Sequence, residues 1–203
     1  DEECLAGDWT AGAICGRVAG RISFARFSLD GISYQLAANM GAHQLHGGPD
    51  NFAIRHWTAR RMEDSLRFEL HSPDGDQGYP GALDASATYT LAANVLRLDL
   101  EARVTKPTVV NLTNHAYWNL AGGSRDAFAH ELLIDGAHFL PLDELLLPTG
   151  EIRAVKGTRW EFHALRPIGE AYDNFWVLSG PRGTMGRALV LRDPASGRHM
   201  AVS

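Results

Sequence analysis

Apolar and polar side chains alternate along many short stretches of this chain, which is the pattern of half-buried β-strands. Residues 24–36 alternate on either side of an Asp-Gly dipeptide, a combination that favours a two-residue hairpin turn. The same alternation recurs in residues 65–71, 87–92 and 95–104, and a short Ala-Asn turn separates the last two segments. We therefore predict a hairpin at 24–36 and three further strands.

The rest of the chain also contains strand-like segments. A second Asp-Gly pair, Asp135-Gly136, separates the apolar segments 131–134 and 138–141, which predicts another strand pair. No segment shows sustained 3.6-residue periodicity, no internal repeat is visible, and no linker divides the chain. The pattern predicts an all-β fold, a sandwich or a large antiparallel sheet pair, in a single domain over residues 1–203.

Composition argues against several classes of protein. The 203 residues are 45% hydrophobic and carry a formal net charge of -5, which disfavours nucleic acid or an anionic membrane as a partner, because both require a basic surface. No apolar run approaches the roughly 18 residues of a transmembrane helix. Only two cysteines, Cys4 and Cys15, are present, so we expect reduced thiols and a cytoplasmic location.

The segment NLTNHAYWNL, residues 111–120, has the highest concentration of polar chemistry. His115 lies near its middle, among three asparagines, a threonine and two large aromatic residues. An imidazole on a strand, flanked by polar amides, suits proton transfer near neutral pH. The residues alone leave a second interpretation open, a histidine that is hydrogen-bonded within the core.

A second histidine, His46, precedes two glycines and a Pro-Asp-Asn turn, a context that exposes an imidazole in a loop. His43 lies nearby, so a zinc site has to be considered. A third ligand at metal spacing is missing, and a His-x-x-His pair in a loop is a weak signal for zinc. We therefore expect no metal at this site.

Two arginines lie four residues apart in the segment GRVAGRI. Arg17 and Arg21 each follow a glycine, and residues four apart on one strand share a face. The default interpretation is a pair of solvated surface arginines. The glycines favour a functional alternative, because they permit close approach of backbone or ligand.

Six motifs occur in one order over nearly the whole chain. They are GRVAGRI at Gly16–Ile22, HGG at His46–Gly48, DGDQGYPG at Asp74–Gly81, NLTNHAYWNLAG at Asn111–Gly122, LPTGE at Leu147–Glu151 and YDNF at Tyr172–Phe175. Together they resemble the corresponding motifs of the aldose 1-epimerases, also called galactose mutarotases.

The resemblance implies a β-supersandwich of the galactose mutarotase type that binds a hexose in an open cleft. It implies an isomerase that interconverts the α and β anomers of a free aldose, of the glucose or galactose type, without a metal or organic cofactor. By position, His115 matches the general acid that protonates the ring oxygen, and His46 matches a second histidine near that oxygen. Arg21 and Asp173 match substrate-contacting residues, and Tyr117 lies in the substrate-contacting part of its motif.

Ring opening also needs a base that takes the proton of the anomeric hydroxyl. In the family this base is a glutamate in a segment well after YDNF, which the chain does not reach at Ser203, so activity of this chain alone is not implied. We do not expect Glu151 or Glu161 to replace it. The chain also begins after the family's usual opening strands, so we expect a domain without its terminal strands at both ends, whose exposed edges favour a homodimer.

Two other functions stay open on the residues. A non-catalytic sugar-binding module on the same fold fits the shortened end, but a pure binder does not need two imidazoles. A hexose-phosphate epimerase needs an extra basic cluster at the cleft, for which Arg21 and Arg17 are the candidates.

Overall fold

The structure is a computed structural model that describes residues 10–203. The chain forms two compact units, one ending at Tyr117 and the other covering Trp118–Ser203. Two 3₁₀ turns, Ser23–Ala25 and Asp76–Gly78, are the only helical segments in the described part of the chain, and no helix there is long and apolar enough to cross a membrane. The predicted all-β class is therefore confirmed.

The first unit contains ten strands within its described residues. They are β1 (Ile14–Cys15), β2 (Arg21–Ile22), β3 (Arg26–Leu29), β4 (Ile32–Gln35), β5 (Gln44–Leu45), β6 (Thr58–Arg61), β7 (Ser65–Ser72), β8 (Leu83–Ala92), β9 (Val95–Val104) and β10 (Thr113–Asn114).

A four-stranded antiparallel sheet in the order β6-β7-β8-β9 is the largest element of this unit. Its strands confirm the predictions at 65–71, 87–92 and 95–104, although β8 begins earlier, at Leu83. Two short antiparallel pairs, β1 with β10 and β2 with β5, carry the segments that lead to the two candidate histidines.

The predicted hairpin at 24–36 is confirmed by the pairing of β3 with β4, in which Leu29 faces Ile32. Asp30 and Gly31 form the turn with φ values of 50° and 78°. Positive φ at both central residues is what a type I′ turn requires, and its twist matches that of the flanking strands.

The second unit contains seven strands in two sheets. They are β11 (Glu131–Ile134), β12 (Gly136–Leu140), β13 (Arg153–Ala154), β14 (Arg166–Pro167), β15 (Phe175–Leu178), β16 (Leu189–Arg192) and β17 (His199–Val202). One sheet has the order β14-β11-β16-β17, and the other has the order β13-β12-β15.

The predicted strand pair around Asp135-Gly136 is wrong, because β11 and β12 belong to different sheets. The Asp135 amide donates to the Ala188 carbonyl, and Gly136 already lies in β12, where it pairs with Leu178 of β15. A Cβ at Gly136 would lie 2.9 Å from the Val177 carbonyl oxygen, so the glycine permits the close approach of two strands. This Asp-Gly pair therefore marks a crossing between sheets.

Two groups of buried apolar side chains form the core of the first unit. Their members are Ala25, Leu36 and Tyr79 in one group and Phe52, Leu83 and Ala85 in the other. Cys15 is fully buried in β1, and Cys4 lies outside the described residues. The predicted reduced state of the two thiols stays a prediction.

The interpretation of Arg17 as a solvated residue is wrong, because this residue is only 2% exposed. Its Nε donates to Ser72 Oγ at 2.9 Å, and its terminal nitrogens donate to the carbonyl oxygens of Ser72, Pro73, Pro80 and Gly81 at 2.8–3.2 Å. Burial lowers the pKa of this guanidinium, and the charge of Asp76 partly offsets that effect. The hydrogen bonds of this side chain connect the segment before β2 to the DGDQGYPG loop.

A partly buried ion pair stabilises the same loop. Arg55 donates to both carboxylate oxygens of Asp76, at 2.6 and 2.7 Å, and Ser72 also donates to this carboxylate. Burial alone would raise the pKa of Asp76, but the hydrogen bonds from Arg55 and Ser72 lower it below its usual value of 3.8. Asp76 and Arg17 are thus joined through the Ser72 hydroxyl.

We expect Asp76→Asn to lower the free energy of unfolding at pH 7 by about 2 kcal/mol, because it removes the charged partner of the partly buried Arg55 guanidinium. The folded-state pKa of Asp76 lies below 3.8, so its contribution is fully present above this value and is lost as pH falls through the folded pKa. Urea unfolding at pH 7 and pH 3 measures both effects.

The control is Asp99→Asn, which removes an exposed partner of Arg97 on β9. Water screens that pair, so we expect little change in stability at either pH. An equal loss of stability in the two variants would contradict a structural role for the Asp76 carboxylate.

Candidate active site

The two histidines singled out in the sequence lie side by side in the first unit. The ring centroids of His46 and His115 are 5.0 Å apart, and the ring planes are nearly perpendicular at 86°. His46 directly follows β5, and His115 directly follows β10. Both residues are partly buried, so each imidazole keeps some access to solvent.

Backbone groups of Gly20 hold His46 on both sides. The His46 amide donates to the Gly20 carbonyl at 2.9 Å, and the Gly20 amide donates to His46 Nδ1 at 3.1 Å. Because Nδ1 accepts a hydrogen bond, the neutral imidazole carries its hydrogen on Nε2. His46 also has a positive φ of 52°, a conformation that is uncommon for a residue with a side chain.

Space requires a glycine at position 47, and the positive φ favours glycine at both positions after His46. A Cβ at Gly47 would lie 2.0 Å from the Gly16 carbonyl oxygen, and a Cβ at Gly48 would lie 2.7 Å from Gln77 Oε1. Both glycines have φ near 100°. The HGG motif therefore lets this loop pack directly on the backbone that precedes Arg17.

His115 is positioned by hydrogen bonds on both sides of its peptide unit. Its amide donates to the Ala13 carbonyl, and its carbonyl accepts from the Gly12 amide. The neighbouring Asn114 donates through Nδ2 to the Gly12 carbonyl at 3.1 Å and to the Tyr89 hydroxyl at 3.2 Å. Asn114 Oδ1 also accepts from the Ala116 amide, which closes a turn around His115.

The structure brings two more predicted residues to this pair. The Tyr117 ring centroid lies 5.1 Å from that of His115, and Tyr117 is 63% exposed. Arg21 begins β2 and pairs with Leu45, the residue before His46. The expectation that Arg17 and Arg21 share a strand face is wrong, because Arg17 lies outside β2 with its guanidinium bound to carbonyl groups.

Asp173 belongs to the other compact unit. It is exposed and lies two residues before Phe175, the first residue of β15. The four other predicted site residues all lie in the unit that ends at Tyr117. The predicted hexose cleft stays a prediction.

His43 is nearly buried and is hydrogen-bonded to the backbone. It is 9% exposed, and its Nδ1 accepts a hydrogen bond from the Phe24 amide at 3.0 Å. Within residues 10–203, no cluster of three or more His, Cys, Asp or Glu side chains has the arrangement of a metal site.

Glu151 and Glu161, which we do not expect to act as the base, make local contacts. Glu151 pairs with Arg153 at 2.5 Å, and Glu161 accepts a hydrogen bond from the Gly157 amide at 2.7 Å. All four residues lie in the second unit.

Some residues that position the site have no separate signal in the sequence. Asn114 is detectable only as the neighbour of His115, and nothing local distinguishes Tyr89 from the other aromatic residues of the strands. The Gly20 amide acts through its backbone, so residue type alone does not reveal it.

Comparison with known proteins identifies the family of this chain. The profile of the family described as aldose 1-epimerase matches residues 2–203. The chain belongs to the aldose 1-epimerase family. This result confirms the family resemblance carried by the six motifs, whereas the extent of its domain stays a prediction.

Named relatives of this aldose 1-epimerase family member are similar over about four fifths of the chain. It is 44% identical to galactose mutarotase from Sus scrofa over 82% of this chain and 49% of that protein. It is 42% identical to galactose mutarotase from Homo sapiens over 81% of this chain and 48% of that protein. It is 39% identical to aldose 1-epimerase from Escherichia coli K12 over 79% of this chain and 47% of that protein. The chain spans about half the length of these relatives.

Solved structures of the family show the same fold. A GalM/aldose epimerase homologue from C. elegans matches with a TM-score of 0.89 and 30% identity, over 98% of this chain and 64% of that one. Galactose 1-epimerase from Lactobacillus acidophilus matches with a TM-score of 0.81 and 28% identity, over 95% of this chain and 61% of that one. The galactose mutarotase-like β-supersandwich class that the motifs implied is confirmed.

We expect Gly47→Ala to lower the free energy of unfolding by about 3 kcal/mol, because its Cβ would collide with the Gly16 carbonyl. Gly41→Ala is the matched control. Gly41 also has positive φ, but no heavy atom lies within 4 Å of its Cβ position, so a loss of about 1 kcal/mol is expected. Chemical denaturation measures both values, and equal losses would refute the packing argument.

Proposed function

We propose that this protein interconverts the α and β anomers of a free aldose of the glucose or galactose type by opening and reclosing the sugar ring. The observation that carries this proposal is the pair of partly buried imidazoles, His46 and His115, held 5.0 Å apart by backbone hydrogen bonds. The pair occurs in a chain of the aldose 1-epimerase family, whose named relatives include galactose mutarotases.

His115 is proposed as the acid that gives a proton to the ring oxygen. An imidazole transfers protons near neutral pH, and its delivery of a proton to this oxygen lets the bond to the anomeric carbon break. His46 assists as a hydrogen-bond donor at the same oxygen. The Gly20 amide supports this role, because it occupies Nδ1 and leaves the hydrogen of the neutral ring on Nε2.

The reaction also needs a base for the proton of the anomeric hydroxyl. The family resemblance assigns this task to a glutamate in a segment that follows the YDNF motif. The local contacts of Glu151 with Arg153 and of Glu161 with Gly157 support a base other than these two.

Arg21, Tyr117 and Asp173 are proposed as substrate-binding residues. A guanidinium and a carboxylate form charge-assisted hydrogen bonds with sugar hydroxyls, which fix the orientation of the ring. Tyr117 adds an exposed aromatic face beside His115, which suits the apolar side of a pyranose. No metal or organic cofactor enters the proposal.

The two alternative functions have less support. A non-catalytic module would not need two imidazoles organised by backbone contacts. A hexose-phosphate epimerase would need a basic cluster, and the Arg17 guanidinium is already bound to five acceptors within the fold.

We expect His115→Ala to slow the enzymatic equilibration of α-D-galactose by about 10²–10⁴-fold, the usual contribution of a positioned acid. Polarimetry on freshly dissolved sugar, with the full-length protein, measures this rate. The control is His71→Ala, which removes an exposed histidine of β7. Its rate should equal that of the wild type.

Three results would change the assignment. Sugar binding by the wild type without faster equilibration would favour the non-catalytic module. Faster equilibration of a hexose phosphate than of the free hexose would favour the phosphate enzyme. Equal rates for His115→Ala and the wild type would exclude this imidazole as the acid.

We further propose that the chain forms a homodimer and resides in the cytoplasm. Strand β9 is an edge of its sheet among the described residues, and it exposes Val95, Leu96 and Val104. Exposed apolar edge strands favour pairing with another chain.

We expect Leu96→Lys to shift the protein toward the monomer, because charge at a sheet edge opposes pairing. Size-exclusion chromatography with light scattering measures the molar mass. Met185→Lys, at an exposed position of the second unit, is the control and should leave the mass unchanged. A monomeric wild type would refute the homodimer.

A further inference from the structure

We propose that Arg159 and Trp160 are positioning residues that hold Asp173 in the orientation needed to bind sugar hydroxyls. The inference rests on the proposed function, in which Asp173 contacts the substrate. Asp173 lies in the loop 170–174, which is outside any strand and leads directly into β15. Side-chain contacts from Arg159 and Trp160 reach this loop on both sides of Asp173.

Trp160 holds the residue after Asp173. Its indole Nε1 donates to Asn174 Oδ1 at 2.8 Å. Its ring stacks on Phe139, a core residue of β12, with centroids 4.2 Å apart and an angle of 15°. The Trp160 carbonyl accepts from the Trp176 indole at 3.0 Å. Asn174 is therefore connected through one rigid indole to the buried side of a sheet.

Arg159 holds the residues before Asp173. Its Nη2 donates to the Ala171 carbonyl at 3.0 Å, and its own carbonyl accepts from the Tyr172 hydroxyl at 3.1 Å. Its guanidinium lies 4.8 Å from the centroid of the Tyr172 ring and forms an ion pair with Glu170 at 3.3 Å.

The same guanidinium links these two sets of contacts. It lies 5.3 Å from the centroid of the Trp160 ring, so Arg159 rests on both aromatic rings, Trp160 and Tyr172. Cation–π contacts at partly exposed sites are individually weak, but here they act together with hydrogen bonds from consecutive residues. The exposed residue Asp173 thus lies between residues held by side-chain contacts, in a loop that forms no β-sheet hydrogen bonds of its own.

A loop that samples several conformations binds substrate with an affinity reduced by the fraction that is competent. Loss of the clamp formed by Arg159 and Trp160 should therefore raise KM. A contact with a sugar hydroxyl that is equally strong in the ground and transition states affects KM and leaves kcat unchanged. We expect Trp160→Phe and Arg159→Met each to raise KM for galactose about 5-fold, with kcat nearly unchanged.

The matched control is Arg153→Met. Arg153 is also an exposed arginine of the second unit, and it also pairs with a glutamate, Glu151. It contacts a different loop, so KM should stay at the wild-type value. Trp160→Phe removes the indole N–H that binds Asn174 and keeps an aromatic ring to face Phe139, so it is the most conservative change available at this position.

A double-mutant cycle with Asp173→Ala distinguishes positioning from general structural support. If Arg159 acts through Asp173, then Arg159→Met should raise KM in the wild-type background and have no further effect in the Asp173→Ala background. Additive effects on KM in the two backgrounds would overturn the inference.

Hydrogen–deuterium exchange of residues 170–174 tests the clamp independently of activity. We expect faster exchange in Arg159→Met and Trp160→Phe than in Arg153→Met, and unchanged exchange in this loop would overturn the inference. If the full-length wild type does not accelerate anomer interconversion, the proposed function fails, and the exchange data still decide whether the clamp orders the loop. Faster exchange with an unchanged KM in an active enzyme would exclude the positioning role.

Discussion

The first unit depends on the hydrogen bonds that the buried guanidinium of Arg17 donates. A charge this far from solvent is tolerated only where every donor has an acceptor, and one hydroxyl and four carbonyl oxygens supply them. Those acceptors belong to the end of β7, to Pro73 directly after it, and to Pro80 and Gly81 of the DGDQGYPG segment. The Arg17 carbonyl in turn accepts from the Asn111 amide, at the start of the segment that carries His115. One residue, through its side chain and its backbone carbonyl, thus connects three of the six family motifs.

Backbone geometry carries this constraint to the imidazoles. Gly16 precedes Arg17, and Gly47 packs on the Gly16 carbonyl so closely that no side chain fits between them. His46 is therefore held beside Gly20, and β10 holds His115 beside Ala13. A pair positioned by peptide groups has little conformational freedom, so under the proposed function its geometry would be set before a sugar binds. The charge network of Arg17 therefore helps to fix the backbone that holds the two histidines.

Two pairs of similar local sequences in this chain have different structures, which shows the limit of prediction from local sequence. Asp30-Gly31 forms a hairpin turn, as its sequence suggests, because the flanking strands pair with each other. Asp135-Gly136 has the same letters but joins strands of two different sheets, because β11 and β12 find other partners. Arg17 and Arg21 occur in matching Gly-Arg contexts, yet one is buried among carbonyl groups and the other begins a strand. Local pattern does not specify the partner of a strand or the depth of a charge.

The order of the motifs and the alternation of apolar residues were sufficient to determine the all-β class, the family and the two histidines that lie together. These properties reside in residue type and spacing, which are local. Tertiary structure alone decided that the Gly20 amide donates to Nδ1 of His46, that Asn114 donates to Tyr89, and that Arg159 and Trp160 contact the loop of Asp173. Each of these contacts joins residues distant in the chain or depends on a backbone group that every residue possesses. Their existence depends on how the strands pair, and no single segment encodes that.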